Sequence, residues 1–192
     1  SGNRSINITA DGSAYSGSCP ASQSRKDCGV NPAAGSTAAY KTNICNPARP
    51  GSAPVNAEEE MERVVPVIQA LHQNFPEAII SIDTYKSEVA EEALRAGAHI
   101  VNDVWGLRAD PALAGVAARH GAALVLMHNR SQPANVEVRE RLGGAYLGAE
   151  YHDLLEDVKR ELMDSVALAR AAGIPDERII LDPGIGFGKT VD

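Results

Sequence analysis

Apolar runs along this chain end repeatedly on a group that can accept or donate hydrogen bonds. Asp83 follows Ala78–Ile82, Asn102-Asp103 follow Ala98–Val101, His128-Asn129 follow Ala123–Met127, and Asp182 follows Ile179–Leu181. The last case is the most informative. Behind Asp182 come Gly184, Gly186 and Gly188, alternating with Ile185 and Phe187, then Lys189 and Thr190. A strand, a carboxylate at its end and a glycine-rich turn put an acceptor charge beside backbone that can approach a flat ligand closely. Gly188-Lys189-Thr190 echoes a phosphate-binding loop, but Gly184 stands too close to Gly188 for the G-x-x-x-x-G-K-T spacing, so ATP binding is not expected. His128 lacks cysteines or histidines at ligand spacing, which makes a structural role the expectation rather than a metal site.

The elements that hold these groups alternate. Asn56, with Glu59 three residues on, is a capping pair opening a helix that sets Met61, Val64, Val65, Ile68 and Leu71 on one face. After the strand Ala78–Ile82, a helix runs from Lys86 to Ala96 and closes at Gly97. Asp110-Pro111 starts the next helix and Gly121 ends it. A long helix from Tyr151 to Ala172 is expected to turn Leu154, Leu155, Val158, Leu162 and Val166 inward. Uniformly apolar strands followed by helices imply parallel strands covered by helices. A polar group at every strand's C-terminal end favours a TIM-type (β/α)8 barrel, whose strand ends share one mouth, over an open sheet with a single switch point.

Composition narrows the class. The chain has 192 residues, 44% hydrophobic and 22% charged, enough for one domain. A net charge of -7 argues against a general nucleic-acid or anionic-membrane surface. A run of about 18 apolar residues and a signal-peptide core are both lacking, so a cytoplasmic location is expected. Cys19, Cys28 and Cys45 form no C-x-x-C pair and read as free thiols in a reducing compartment. Residues 12–40 are rich in Ser, Ala and Gly, without helical or strand periodicity.

Taken in order, these segments resemble the dihydropteroate synthase family of folate biosynthesis. Ser81-Ile82-Asp83-Thr84-x-Lys86, Val101-Asn102-Asp103-Val104-x-Gly106, Leu126-Met127-His128 and Leu181 to Thr190 look like four successive family signatures. Arg49-Pro50-Gly51 before Glu58-Glu59-Glu60 looks like the second substrate loop and its helix, and Asn7-x-Thr9-x-Asp11 like the start of the first loop. The likeness covers residues 46–192 well and 1–45 poorly. Ala10 stands where the family usually has proline, and the second loop lacks the usual Glu-Ser-Thr before Arg49.

The resemblance implies condensation of 6-hydroxymethyl-7,8-dihydropterin pyrophosphate with 4-aminobenzoate, in a family that sulfonamides target. Asp182 would clamp the adjacent N–H and amino groups of the pterin, as a carboxylate clamps arginine. Asp83 and Asn102 would complete the ring's hydrogen bonds, with Gly186 giving the ring room, while Asp103 caps a turn. Phe187 would pack near the aminobenzoate ring. Arg49 and Asn7 would hold pyrophosphate, Asn7 also touching its Mg²⁺, which keeps most of its waters. A methyltetrahydrofolate-dependent corrinoid methyltransferase on the same barrel is the alternative, disfavoured because a methyl donor has no pyrophosphate for an Arg-Pro-Gly loop. A third reading is an inactive pterin-binding fragment. Residues 1–192 read as one domain with roughly the first six βα units, incomplete at the C-terminal end. Such a piece is expected to be inactive alone and homodimeric when complete.

Overall fold

The structure, a computed structural model, describes residues 5–9, 14–15, 55–130, 136–139, 143–146, 150–185, 187 and 189. Strands β1 (Ser5–Thr9) and β2 (Ala14–Tyr15) come first, then helix α1 (Ala57–Asn74), β3 (Ile79–Asp83), α2 (Ser87–Arg95), β4 (Ile100–Asp103), α3 (Ala112–His120) and β5 (Ala123–Met127). A hairpin of β6 (Val136–Arg139) and β7 (Gly143–Tyr146) precedes α4 (Leu154–Ala171) and β8 (Ile179–Asp182). The Asn56 side chain accepts from the Glu59 N–H at 2.8 Å, the expected cap of α1. Caps of this kind contribute about 1 kcal/mol.

The main sheet has the order β2-β1-β3-β4-β5-β8. Every pairing from β1 through β8 is parallel, and only β2 runs antiparallel, against β1. Beyond that short edge strand, strand order follows sequence order without a reversal, so the described strands contain no switch point. Helix α1 packs on α2 and α2 on α3, which lays consecutive helices along one side. That is the winding of a (β/α)8 barrel, as the sequence implies, and not of a doubly wound sheet. Ile80, Ile82, Val101, Leu124 and Leu126 are fully buried beneath Val64, Ile68, Val89, Leu113 and Val166 of the helices. Truncating one such leucine to alanine typically costs about 2–5 kcal/mol.

Several expectations need correction. Helix α4 does not turn Leu154 and Leu155 inward; Leu155 is 69% exposed. The inner positions go to Asp157, Val158, Leu162, Ser165, Val166 and Ala169, because two polar residues there anchor neighbouring loops. Strand β4 runs two residues further than expected and takes in Asn102 and Asp103. The antiparallel hairpin, with Val136 opposite Tyr146 and Arg139 opposite Gly143, has no counterpart in the sequence reading. Of the segment 12–40, only Ala14–Tyr15 is described, as β2. Arg49, Gly186 and the three cysteines lie outside the described residues. Among those described, no helix is long and apolar enough to cross a membrane.

Helix α4 is fastened to the end of β5 by charge. His128 is 3% exposed, and its Nε2 lies 2.9 Å from Glu161 Oε2. An ionised carboxylate only accepts, so Nε2 carries the proton. Arg130 donates to the other Glu161 oxygen at 2.7 Å, reaches Asp157 at 3.1 Å and lies 4.5 Å over the Tyr151 ring. The Arg160 hydrogen bond, with help from the His152 N–H and Arg130, holds Asp157 at about 2. Burial, reinforced by the Lys189 charge, lowers His128 despite the pull of Glu161. Burial raises Glu161, but its Arg130 and His128 hydrogen bonds outweigh that and leave it below the ordinary carboxylate range.

Both the histidine and the carboxylate thus fold with depressed pKa values. Their contributions are complete above the unfolded values of about 6.5 and about 4.3, and are lost as pH falls through the folded ones. Thermal unfolding midpoints should therefore drop from pH 7 to pH 5 by about 2–4 °C per kcal/mol lost. His128→Asn should flatten that part of the profile and keep the steeper fall below pH about 4.3. A variant profile parallel to the wild type from pH 7 to pH 5 would contradict the assignment.

Candidate active site at the C-terminal strand ends

Register decides which polar groups meet. Asp83 pairs with Asn102, Asn102 with Val125, Val125 with Ile180, and Met127 with Asp182. Paired residues of a parallel sheet share a face, and alternate residues return to it. Asp83, Asn102 and Asp182 therefore stand on one face, opposite the one where Ile82, Val101 and Leu126 are buried under helices. All three lie at the C-terminal edge. On β1, Thr9 is in register with Asp83, and Asn7 with Ser81, two residues further from the edge. The three predicted pterin residues that are described are thus brought together. Asp83 is 8% exposed, while Asn102 and Asp182 are half-buried.

Residues that the sequence reading did not single out hold the loops around them. Glu60 of α1 is 1% exposed and accepts from Thr84 Oγ1 at 2.8 Å and from Lys86 Nζ at 2.5 Å. Lys86 also donates to the Val55 carbonyl. Asp83 is therefore followed at once by a loop tied to the start of α1. Breaking a buried pair on one side typically costs about 3–5 kcal/mol. Lys86 itself does not cap α2. Asp110, expected to cap α3, does so by accepting from the Ala112 N–H at 3.0 Å, and its second oxygen takes the Ser87 N–H of α2 at 2.8 Å. One carboxylate thus joins the loop after Asp83 to the loop after Asn102. The only sequence signals for these contacts were Lys86 within the Asp83 signature and Glu60 within an acidic helix start.

Asp103 behaves as expected, as a turn cap facing away from the site. It is 1% exposed and accepts from the Trp105 N–H at 2.8 Å and the Leu107 N–H at 2.5 Å. Burial raises its pKa against those two bonds. The turn holds Leu107 at φ 67, a conformation costing an L residue about 1–2 kcal/mol. Ser165 of α4 donates to the Gly106 carbonyl at 2.9 Å, and Asn129 Nδ2 donates to the Val104 carbonyl at 3.2 Å. The loop beside Asn102 is therefore pinned from β5 and from α4.

Asp182 has two tasks. Its Oδ1 accepts from the Gly184 N–H at 2.7 Å, so part of the carboxylate caps its own turn. The other oxygen can still accept from a ligand, and Oδ1 has a second lone pair. The Asp182 carbonyl takes the His128 N–H at 2.9 Å, extending the ladder past Met127. Gly184 has φ 66, and a Cβ there would come within 2.1 Å of the His128 carbonyl oxygen, so only glycine fits. Phe187 is half-buried in the loop that follows, and its N–H donates to the Gly184 carbonyl at 3.0 Å. Lys189 folds back on carbonyl groups and offers no cradle for phosphates.

Comparison with known proteins agrees with this edge. A family model described as pterin binding enzyme matches residues 45–192. The dihydropteroate synthase of Bacillus subtilis is 46% identical over 142 residues, which cover 74% of this chain and 44% of that protein. A dihydropteroate synthase from Clostridium difficile, solved in the presence of pteroic acid, superposes with a TM-score of 0.63 at 42% identity, over 74% of this chain and 48% of that one. The Xanthomonas albilineans enzyme with 4-aminobenzoic acid gives a TM-score of 0.63 at 36% identity, over 74% and 46%. The chain spans about half the length of the curated relatives it matches. With β3 to β8 and the whole polar edge inside the matched residues, the chain belongs to the pterin binding enzyme family.

Proposed function

We propose that this chain supplies the pterin site of a dihydropteroate synthase, a transferase joining 6-hydroxymethyl-7,8-dihydropterin pyrophosphate to 4-aminobenzoate. The observation that carries the reading is the register placing Asp83, Asn102 and Asp182 on one face at one edge. A pterin edge left unpaired in a closed pocket would be costly, and these groups supply acceptors for its N–H and amino groups together with an amide for mixed donors and acceptors. The relatives solved with pteroic acid and with 4-aminobenzoic acid support the same ligand pair.

In this reading the bond between the pterin methylene and pyrophosphate oxygen breaks, and its electron pair leaves with pyrophosphate. The aniline nitrogen gives its lone pair to the methylene carbon and afterwards loses a proton. Neither step needs a protein nucleophile. The protein's contribution is to orient the ring and stabilise the departing anion. Arg49 and Asn7 would serve the anion, and Phe187 would pack on the aminobenzoate ring, where sulfonamides would compete. Among the described residues, no group of three or more His, Cys, Asp or Glu is gathered to hold a metal ion. A Mg²⁺ would be brought in on pyrophosphate and water oxygens, with Asn7 as a single protein contribution. When bound, the ion would neutralise the leaving group. A cytoplasmic location and a homodimer belong to the same reading, from the family resemblance alone.

Asp182→Asn keeps an oxygen for the Gly184 N–H and removes the charged acceptor. It should weaken 6-hydroxymethylpterin binding by ~2–4 kcal/mol, about 30- to 1000-fold, with the fold intact. Calorimetric titration giving less than about a threefold change would rule out the clamp. A second expectation concerns order. Arg49 is flanked by Pro47, Pro50 and Gly51, a composition common in ligand-binding loops. A sulfonamide should therefore bind appreciably only once pyrophosphate and pterin are present, and equal affinity without pyrophosphate would contradict the assignment.

A further inference from the structure

Lys189 is not a phosphate-loop lysine. Its ammonium donates to three carbonyl oxygens: Gly184 at 2.9 Å, Phe187 at 3.3 Å and His128 at 3.3 Å. Those are all the protons an ammonium has, so the group is saturated by backbone and is no free anion site. The three acceptors belong to two neighbouring strand ends. His128 follows β5, while Gly184 and Phe187 lie in the turn after β8.

We infer that Lys189 is a positioning residue whose ammonium fastens the Gly184–Lys189 loop to the end of β5 and thereby sets Phe187 for the aminobenzoate ring. The inference rests on the ligand assignment made above for Phe187. Three features support it. Two bonds hold the turn to its own strand, the Gly184 N–H to Asp182 and the Phe187 N–H to the Gly184 carbonyl. Neither reaches the strand next door, whereas Lys189 does. Gly184 already lies against the His128 carbonyl, where a Cβ would approach to 2.1 Å, so the two strand ends are close enough for one cation to bridge. Burial also lowers the Lys189 pKa against the charges of Asp182 and Glu161, as befits an ammonium taken out of water and solvated by carbonyls.

The pterin clamp should depend on this lysine much less. Asp182 is placed by the β5 ladder, through Leu126 opposite Leu181 and the His128 N–H on the Asp182 carbonyl. Phe187 lies beyond the end of β8, and its own carbonyl accepts from Lys189. Loss of the ammonium should consequently separate the two ligands, an effect that general destabilisation would not produce.

The test uses the 192-residue chain with Lys189→Met, which keeps an apolar stem, and Lys189→Arg, which keeps donors for carbonyls. Hydrogen exchange at the Phe187 amide should quicken about tenfold or more in the methionine variant and recover in the arginine variant. Calorimetry with 6-hydroxymethylpterin should show its affinity unchanged within about threefold, while 4-aminobenzoate, added with pterin and pyrophosphate, weakens about tenfold or more. An unchanged Phe187 exchange rate in the methionine variant would overturn the inference, and so would equal weakening of both ligands. A wild-type chain that binds no pterin would sink the proposed function instead. The exchange data would still decide, either way, whether Lys189 fastens the loop.

Discussion

Asp83 and Asn102 are register partners on adjacent parallel strands, and Asp182 continues the same face two strands on. Everything proposed for the site depends on that register. Side chains alternate faces every residue, so a slip of one position on β4 would put Asp103 on the ligand face and bury Asn102 under the helices. The slip is opposed by Val101, which would lose its place among fully buried residues, and by the Asp103 turn, which needs its carboxylate behind the sheet to bind the Trp105 and Leu107 N–H groups. Hydrophobic burial and a polar cap thus select the same register. That agreement lets a half-buried amide sit reliably beside a buried carboxylate.

A second set of polar residues never faces the mouth, yet determines where the ligand face ends. Glu60 ties the loop after β3 to α1, Asp110 ties that loop to the next, Ser165 and Asn129 pin the loop after β4, and Glu161 holds the end of β5 through His128. Each carboxylate of this set accepts from fixed donors, and at Asp110 and Glu161 those bonds outweigh the burial that disfavours the charged form. Rigid supports behind a site reduce the reorganisation needed when a flat ring enters.

Much of this was legible in the sequence, and the limits have physical causes. The α1 cap reads directly, because Asn56 and Glu59 are three residues apart and the interaction is local. The strands and their terminal polar groups read from apolar runs that end abruptly. The bonds from Glu60 to Lys86 and from Asp110 to Ser87 do not read, since the partners lie 26 and 23 residues apart and local pattern carries no trace of them. Leu154 and Leu155 mislead because periodicity counts apolar residues, while the inner face of α4 gives positions to Asp157 and Ser165, whose partners lie on other elements. The β6–β7 hairpin hides because one strand is Gly-Gly-Ala-Tyr, with almost no strand propensity of its own.

The central claim is geometric: three side chains on three strands converge on one heterocycle. Its most direct test is a crystal structure of this chain with 6-hydroxymethylpterin bound. The account predicts the ring at the C-terminal strand edge, its amino and N–H groups on the Asp182 carboxylate and its remaining polar edge within hydrogen-bond reach of Asp83 and Asn102. A ring seated elsewhere, or one at this edge that leaves Asp182 bonded only to the Gly184 N–H, would contradict it.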